Sequence, residues 1–381
     1  MYHLLNNEYQ EKYNEFAAFA QEQIAPYAYG WEKQQNIPQE IISLCAEKKY
    51  LGCCIPEEYG GNAWDILTYG LFTQAVSQAS TSLVGLFNVH TMVIQSIYKW
   101  GTEEQKNKWL KSMCSGKILG ALALTEPAAG SDVQGMTTSF QRESNGYVIN
   151  GTKRWITFGA CADVILVFGK LEDTGESIAC LVPRDAKGLT ITKIEDMLGF
   201  RASNLAVLEF EDCFVPAENL IAQENTALQC VAPYALNYGR VSVAFTALGI
   251  LEGCIRESCA YATKRITFDE RLIRQSVIKE MITQMGVDYE AASHLCLNIC
   301  SNENISTLIQ EVMIMKYFVT RAACRHAANA VQILGASGCN DRSPVSRYYR
   351  DSKMLEIIEG SNQIHEMVLT NYFARKFRSS K

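Results

Sequence analysis

Four short segments combine residue types that can bind or react. The first is Leu122-Ala123-Leu124-Thr125-Glu126-Pro127-Ala128-Ala129-Gly130-Ser131-Asp132. It leads off an expected strand into a loop of small residues. Small residues let the backbone approach a flat or anionic ligand, and Thr125 and Ser131 add hydroxyls. An ordinary Pro/Gly turn fits the same letters. The second is Gly151-Thr152-Lys153-Arg154-Trp155-Ile156-Thr157. Trp155 on a strand can stack on an aromatic ligand, with Thr157 donating to it; a core tryptophan is the alternative. The third, Arg265-Ile266-Thr267-Phe268, ends a long expected helix. Arginine there can grip a phosphate with two donors, or simply complement the helix C-terminus. The fourth ends Glu356-Ile357-Ile358-Glu359-Gly360-Ser361. A carboxylate among apolar residues has a raised pKa and can abstract a weakly acidic proton. An exposed glutamate before a turn, with Ser361 as a helix cap, is the alternative.

The elements that must position these segments fall into three blocks. The first third reads helical. Tyr9, Tyr13, Phe16, Ala17, Ala20 and Ile24 recur at helical spacing until Pro26, and a second helix follows Pro38. Residues 66–98 contain no Asp, Glu, Lys or Arg. Polar residues such as Thr73, Gln74, Asn88 and Gln95 interrupt that stretch, so it predicts two buried helices, broken near Gly85, rather than a membrane span. Thr102 is positioned to cap a further short helix. Residues 118–222 change to short β-rich runs, with Asn145-Gly146, Asn150-Gly151, Asp173-Thr174-Gly175 and Pro183 as separators. This predicts an antiparallel sheet with hairpin turns. From Val231 onward long apolar stripes predict helices again.

Composition bounds the rest. The chain has 381 residues, 48% hydrophobic and 20% charged, with net charge −6. It can build a large core of two or three domains, and lacks the basic face of a general nucleic-acid binder. Its 14 cysteines are scattered without a CxxC, and no metal-ligand set is apparent. They read as reduced, buried thiols. The N-terminus shows no basic segment followed by an apolar one, so a cytoplasmic location is expected. No GxGxxG, phosphate-cradling GxxxxGK[ST] or GxSxG motif occurs.

Together, the order of these segments resembles the acyl-CoA dehydrogenase family. Thr125-Glu126-Pro127 through Ser131-Asp132, Trp155-Ile156-Thr157, Arg265 with Thr267-Phe268, Val331-Gln332-Ile333-Leu334-Gly335, Arg350-Asp351 and Glu359-Gly360 stand in the family's order. The resemblance implies an α+β fold: an N-terminal helical domain (1–118), a middle antiparallel β domain (119–224) and a C-terminal four-helix bundle (225–381). It implies FAD between them. Leu122, Leu124, Thr125 and Ser131 would line the flavin, and Trp155 and Thr157 would cover its other side. Arg265, Thr267 and Phe268 would meet the pyrophosphate of an FAD held mainly by a neighbouring subunit. Gln332, Ser361 and Gln363 would contact its adenosine or ribose part across that interface, with Gly335 also at the cofactor, so a homodimer or homotetramer is implied. The family often has a glycine pair after its Gln-Ile-Leu segment; this chain has Gly335-Ala336.

Glu359 matches the family's usual base, with Arg240 and Gly360 at the substrate. In a branched-chain subset the base lies just before an arginine on an earlier helix; here that place reads Tyr238-Gly239-Arg240. The segments around Tyr238 and Glu359 look most like acyl-ACP dehydrogenases that make hydroxymalonyl-, methoxymalonyl- or aminomalonyl-ACP extender units. The implied substrate is a small three-carbon polar acyl group on an acyl carrier protein, oxidised at C3, with a separate electron acceptor. A short-chain acyl-CoA dehydrogenase using a CoA thioester is the alternative. A non-catalytic flavin-binding or helical interaction protein is a third reading, against which Glu359-Gly360 argues. Carrier docking would use Lys99, Lys106, Lys108, Lys111 and Lys117, or Arg375, Lys376 and Arg378; these charges equally suit solvated helix faces.

Overall fold

The computed structural model describes residues 1–302 and 305–378. Its order is helical, sheet, helical. The first block holds α1 (Asn7–Phe19), α2 (Ala25–Gln34), α3 (Gln39–Glu47), α4 (Ile66–Ser77), α5 (Thr81–Trp100) and α6 (Glu103–Cys114). The caps are local and sequence-encoded. Asp65 accepts from Thr68 N at 2.6 Å to start α4, and Thr102 with Gln105 forms a capping box for α6.

Two helix expectations are corrected. The chain does not stop being helical at Pro26. A wider turn at Ala20–Ile24 leads straight into α2 and accommodates Pro26 in its first turn. Residues 66–98 do form buried helices, but the break falls at Ser80, whose Oγ accepts from Leu83 N at 3.2 Å. Gly85 lies inside α5.

The middle block is one seven-stranded sheet. It comprises β1 (Gly120–Ala123), β2 (Ser139–Glu143), β3 (Gly146–Ile156), β4 (Val164–Leu171), β5 (Ser177–Pro183), β6 (Leu189–Lys193) and β7 (Ala206–Pro216). Pairing is antiparallel at β2–β3, β3–β7, β6–β7 and β4–β5, and parallel at β1–β4 and β2–β4. Asn150-Gly151 does not separate two strands. Gly151 forms a bulge within β3, with φ 145°, because its Cα faces the Thr138 backbone, where a Cβ would approach to 2.8 Å.

The last block contains α7 (Ala232–Ala262), the hairpin β8 (Ile266–Thr267) with β9 (Glu270–Arg271), α8 (Ser276–Cys300), α9 (Ile309–Leu334), the single turn α10 (Ala336–Cys339), α11 (Pro344–Leu355) and α12 (Asn362–Lys376). α7 is the hub, packing on α4, α5, α8, α9 and α11. The stretch Ala227–Ala262 is long and apolar enough to cross a membrane, and 78% of its apolar window is buried inside the protein. All 14 cysteines are free thiols.

Candidate active site

Glu359 follows α11 in a left-handed conformation, φ 57°, and Gly360 follows at φ 93°. A left-handed glutamate is held there only by its surroundings. Arg240 Nε donates to the Glu359 carbonyl at 3.2 Å. Lys316, fully buried on α9, donates to the Gly360 carbonyl at 2.7 Å. Two cations on two helices therefore clamp the turn that aims the carboxylate.

The carboxylate itself points at α7. A Cβ on Gly239 would lie 2.6 Å from Glu359 Cδ and Oε2, so only glycine leaves room. Asn88 of α5 donates to Oε1 at 2.9 Å. Oε2 is shut away from solvent and has no partner, although the residue as a whole is half-buried. Burial pushes the Glu359 carboxyl above its ordinary value, against the opposing pull of Asn88, Arg240 and Lys316. Burial also brings Lys316 down to about 7 and holds His365, beside Gly360, neutral at about 3. This is a carboxylate with one free oxygen and a raised proton affinity, suited to taking a proton from a weak carbon acid.

A second cluster lies at the sheet. Leu122 and Leu124 lie on and just after β1, and Thr125 is tied to the end of β3 by Arg154 N donating to its carbonyl at 2.9 Å. The tie is anchored by a buried ion pair. Glu126 accepts from Lys153 Nζ at 2.7 Å, Thr137 N at 2.7 Å, Thr137 Oγ1 at 2.9 Å and Thr138 N at 2.9 Å. Lys153 also reaches the Leu124 carbonyl at 3.1 Å. Burial opposes ionisation of Glu126, but these donors outweigh it and hold the carboxyl at about 2. Trp155, φ 63°, is 44% exposed, and the Arg154 guanidinium covers its ring at 4.6 Å. Ser131 is exposed.

The two clusters share one helix. A Cβ on Gly85 would lie 3.4 Å from Thr157 Cγ2 and 3.5 Å from Ser203 Oγ. Asn88, three residues on, lies on the same face one turn away and meets Glu359. Along this side, Asn88 Oδ1, Glu359 Oε2 and Ser203 Oγ are buried without partners. Orphaned polar atoms along this side, with an exposed tryptophan two residues before Thr157, fit a flat, partly polar group such as a flavin.

The third cluster is separate. Arg265 lies three residues beyond the end of α7 and shares an open cleft of about 420 Å³ with Glu257, Ala260, Tyr261, Lys264 and Leu334. The cleft thus joins Arg265 to the Gln332–Gly335 region at the end of α9. Thr267 lies on β8, and Phe268 at the hairpin tip is 91% exposed. Gln332, Gly335 and Gln363 are exposed, while Ser361 Oγ caps α12 by accepting from Ile364 N at 3.4 Å. No hydrogen bond or ion pair links this cluster to Glu359 or Trp155 among the described residues.

Asn88, Lys316, His365 and the Glu126–Lys153 pair were not singled out from sequence. One signal was available for Lys316: a lone lysine in the apolar run Val312-Met313-Ile314-Met315-Lys316-Tyr317-Phe318-Val319.

Comparison with known proteins decides the family. The acyl-CoA dehydrogenase N-terminal, middle and C-terminal domain models match residues 6–117, 121–213 and 230–372. The chain belongs to the acyl-CoA dehydrogenase family. It is 34% identical to an acyl-CoA dehydrogenase of Bacillus subtilis, covering 93% of this chain and 94% of that one. The solved butyryl-CoA dehydrogenase of Megasphaera elsdenii matches with TM-score 0.92 at 29% identity, over 97% of this chain and 99% of that one. FkbI, a protein for biosynthesis of the methoxymalonyl extender unit of the polyketide Fk520, matches with TM-score 0.88 at 27% identity, over 94% of this chain and 99% of that one. This acyl-CoA dehydrogenase family member is a flavin-dependent acyl-thioester dehydrogenase, and its cofactor is FAD.

Proposed function

We propose that the protein oxidises a small three-carbon polar acyl group carried on an acyl carrier protein, with Glu359 as the base. The carrying observation is the free, buried Oε2 of Glu359 facing Gly239. A thioester carbonyl acidifies the hydrogen on the adjacent carbon. Glu359 takes that proton at Oε2 while Asn88 fixes Oε1. Arg240 and Lys316 hold the turn, and their charge opposes the effect of burial by favouring the ionised carboxylate. FAD, when bound, supplies the acceptor for the hydride leaving the neighbouring carbon.

In this reading Leu122, Leu124, Thr125 and Ser131 hold one side of the cofactor, and Trp155 and Thr157 the other. Arg265, Thr267 and Phe268, with Gln332, Gly335, Ser361 and Gln363, serve the cofactor of a second copy, which makes the active enzyme a homo-oligomer of the cytoplasm. The separateness and exposure of the Arg265 cluster support this.

Likeness to FkbI supports the carrier-protein substrate. Lys99, Lys111 and Lys117 are exposed without ion pairs among the described residues, whereas Lys106 pairs with Glu103 and Lys108 with Glu218, each at 2.8 Å. Arg375, Lys376 and Arg378 are exposed at the other candidate patch. Similarity to butyryl-CoA dehydrogenase favours a second reading, a short-chain acyl-CoA dehydrogenase. Anaerobic bleaching of the flavin by glyceryl- or seryl-ACP, compared with butyryl-CoA, separates them. The carrier-protein reading predicts faster bleaching by the ACP thioester; rapid bleaching by butyryl-CoA alone would overturn it.

A further inference from the structure

Asn88 touches Glu359 with one end of its amide and nothing with the other. Nδ2 donates to Glu359 Oε1 at 2.9 Å, while Oδ1 is buried without a partner. The residue is only 6% exposed. Chemistry fixes the orientation of the amide. In the ionised state in which Glu359 acts as the base its carboxylate only accepts, so Asn88 turns its N–H toward Glu359 and its carbonyl away. The free acceptor is thus held one amide group away from the Glu359 carboxylate.

A buried acceptor left dry is costly, and a site that contains one discriminates against ligands that cannot satisfy it. A plain hydrocarbon acyl chain offers Asn88 Oδ1 nothing. A hydroxyl or ammonium group near the reacting carbon offers it a donor. We propose that Asn88 is a specificity-determining residue that selects acyl groups bearing a hydrogen-bond donor on carbon 2 or 3. The inference rests on the reading of Glu359 as the base, since it places the acyl chain beside that carboxylate.

The test uses the FAD-loaded enzyme and three pantetheine thioesters: propionyl, 2-hydroxypropionyl and 3-hydroxypropionyl. Calorimetry measures the affinity for each, and anaerobic flavin bleaching measures the rate. At least one hydroxylated thioester should bind roughly ten- to a hundred-fold more tightly than propionyl in the wild type. Asn88→Leu and Asn88→Ala should each erase that ratio. Bleaching should slow for all three thioesters together, because Glu359 has lost a donor. A wild-type ratio near one, or a ratio unmoved in both variants, overturns the proposal. Loss of FAD with the ratio intact also overturns it, by assigning Asn88 to the cofactor. Failure of the underlying reading looks different: Glu359→Gln would bleach as fast as wild type, whatever the affinity ratio.

Discussion

Glu126 and Glu359 are carboxylates shut into the same protein with opposite fates. Glu126 receives four hydrogen bonds, one from a buried lysine, and its carboxyl is held at about 2. Glu359 receives one, from Asn88, and is raised. Burial opposes charge at both sites; the number of donors decides which way each settles. A saturated carboxylate is a fastener: it ties the 122–132 loop to β3. An undersupplied one remains a base. In the proposed reaction the two are complementary, one shaping the cofactor's bed and one reacting.

The contrast breaks most sharply through Glu126. Glu126→Gln strands Lys153 as an uncompensated buried charge, so unfolding free energy in urea should fall by about 3–5 kcal/mol. The same change at Glu359 should act in the opposite direction. Its folded pKa lies above the unfolded one, so its contribution to stability is present below the ordinary value of 4.5 and lost as pH rises through the raised value. At neutral pH the glutamate therefore costs stability, and Glu359→Gln should gain about 1 kcal/mol, the scale of other stabilising active-site changes. Glu126 has the reverse sign: its contribution is present above 4.5 and lost as pH falls toward about 2. Denaturation followed from pH 7 to pH 3 should show a steeper loss of stability in wild type than in Glu126→Gln.

Geometry is the next lever. Gly239→Ala places a Cβ 2.6 Å from the Glu359 carboxylate. The helix should tolerate alanine, while kcat/KM should drop about 10²-fold from misplacement of the base. Lys316→Met has a smaller effect. Losing the tie to the Gly360 carbonyl should cost about tenfold in kcat/KM, an effect of the size seen when one charged hydrogen bond is lost. Removing that cation should also shift the ascending limb of the kcat/KM–pH profile upward, because one of the charges favouring ionised Glu359 is gone. A purely structural lysine would leave that limb in place.

How much of this was legible in the sequence follows from the distance over which each part is encoded. The three-block order, the caps at Thr102 and Ser361 and the uncharged helices over 66–98 are local, and the structure contains them. Pro26 and Gly85 misled because their local meaning was overridden. A wide turn let the proline begin a helix, and the glycine serves contact with Thr157 rather than a break. Glu359 stood out locally as a carboxylate after two isoleucines, but the family resemblance was needed to choose a base over an exposed turn. The pairing of Asn88 and Lys316 with its turn could not be read. Asn88 meets it across 271 residues, and Lys316 acts through the backbone carbonyl of Gly360, 44 residues away. The Glu126–Lys153 pair spans 27 residues and two strands.

The most direct test of Glu359 as the base is anaerobic reduction of the bound flavin in Glu359→Gln, with the thioester that wild type oxidises fastest. The account predicts a purified protein with the FAD spectrum of wild type and a reduction rate lower by about 10²–10⁴-fold. Reduction at the wild-type rate would contradict it.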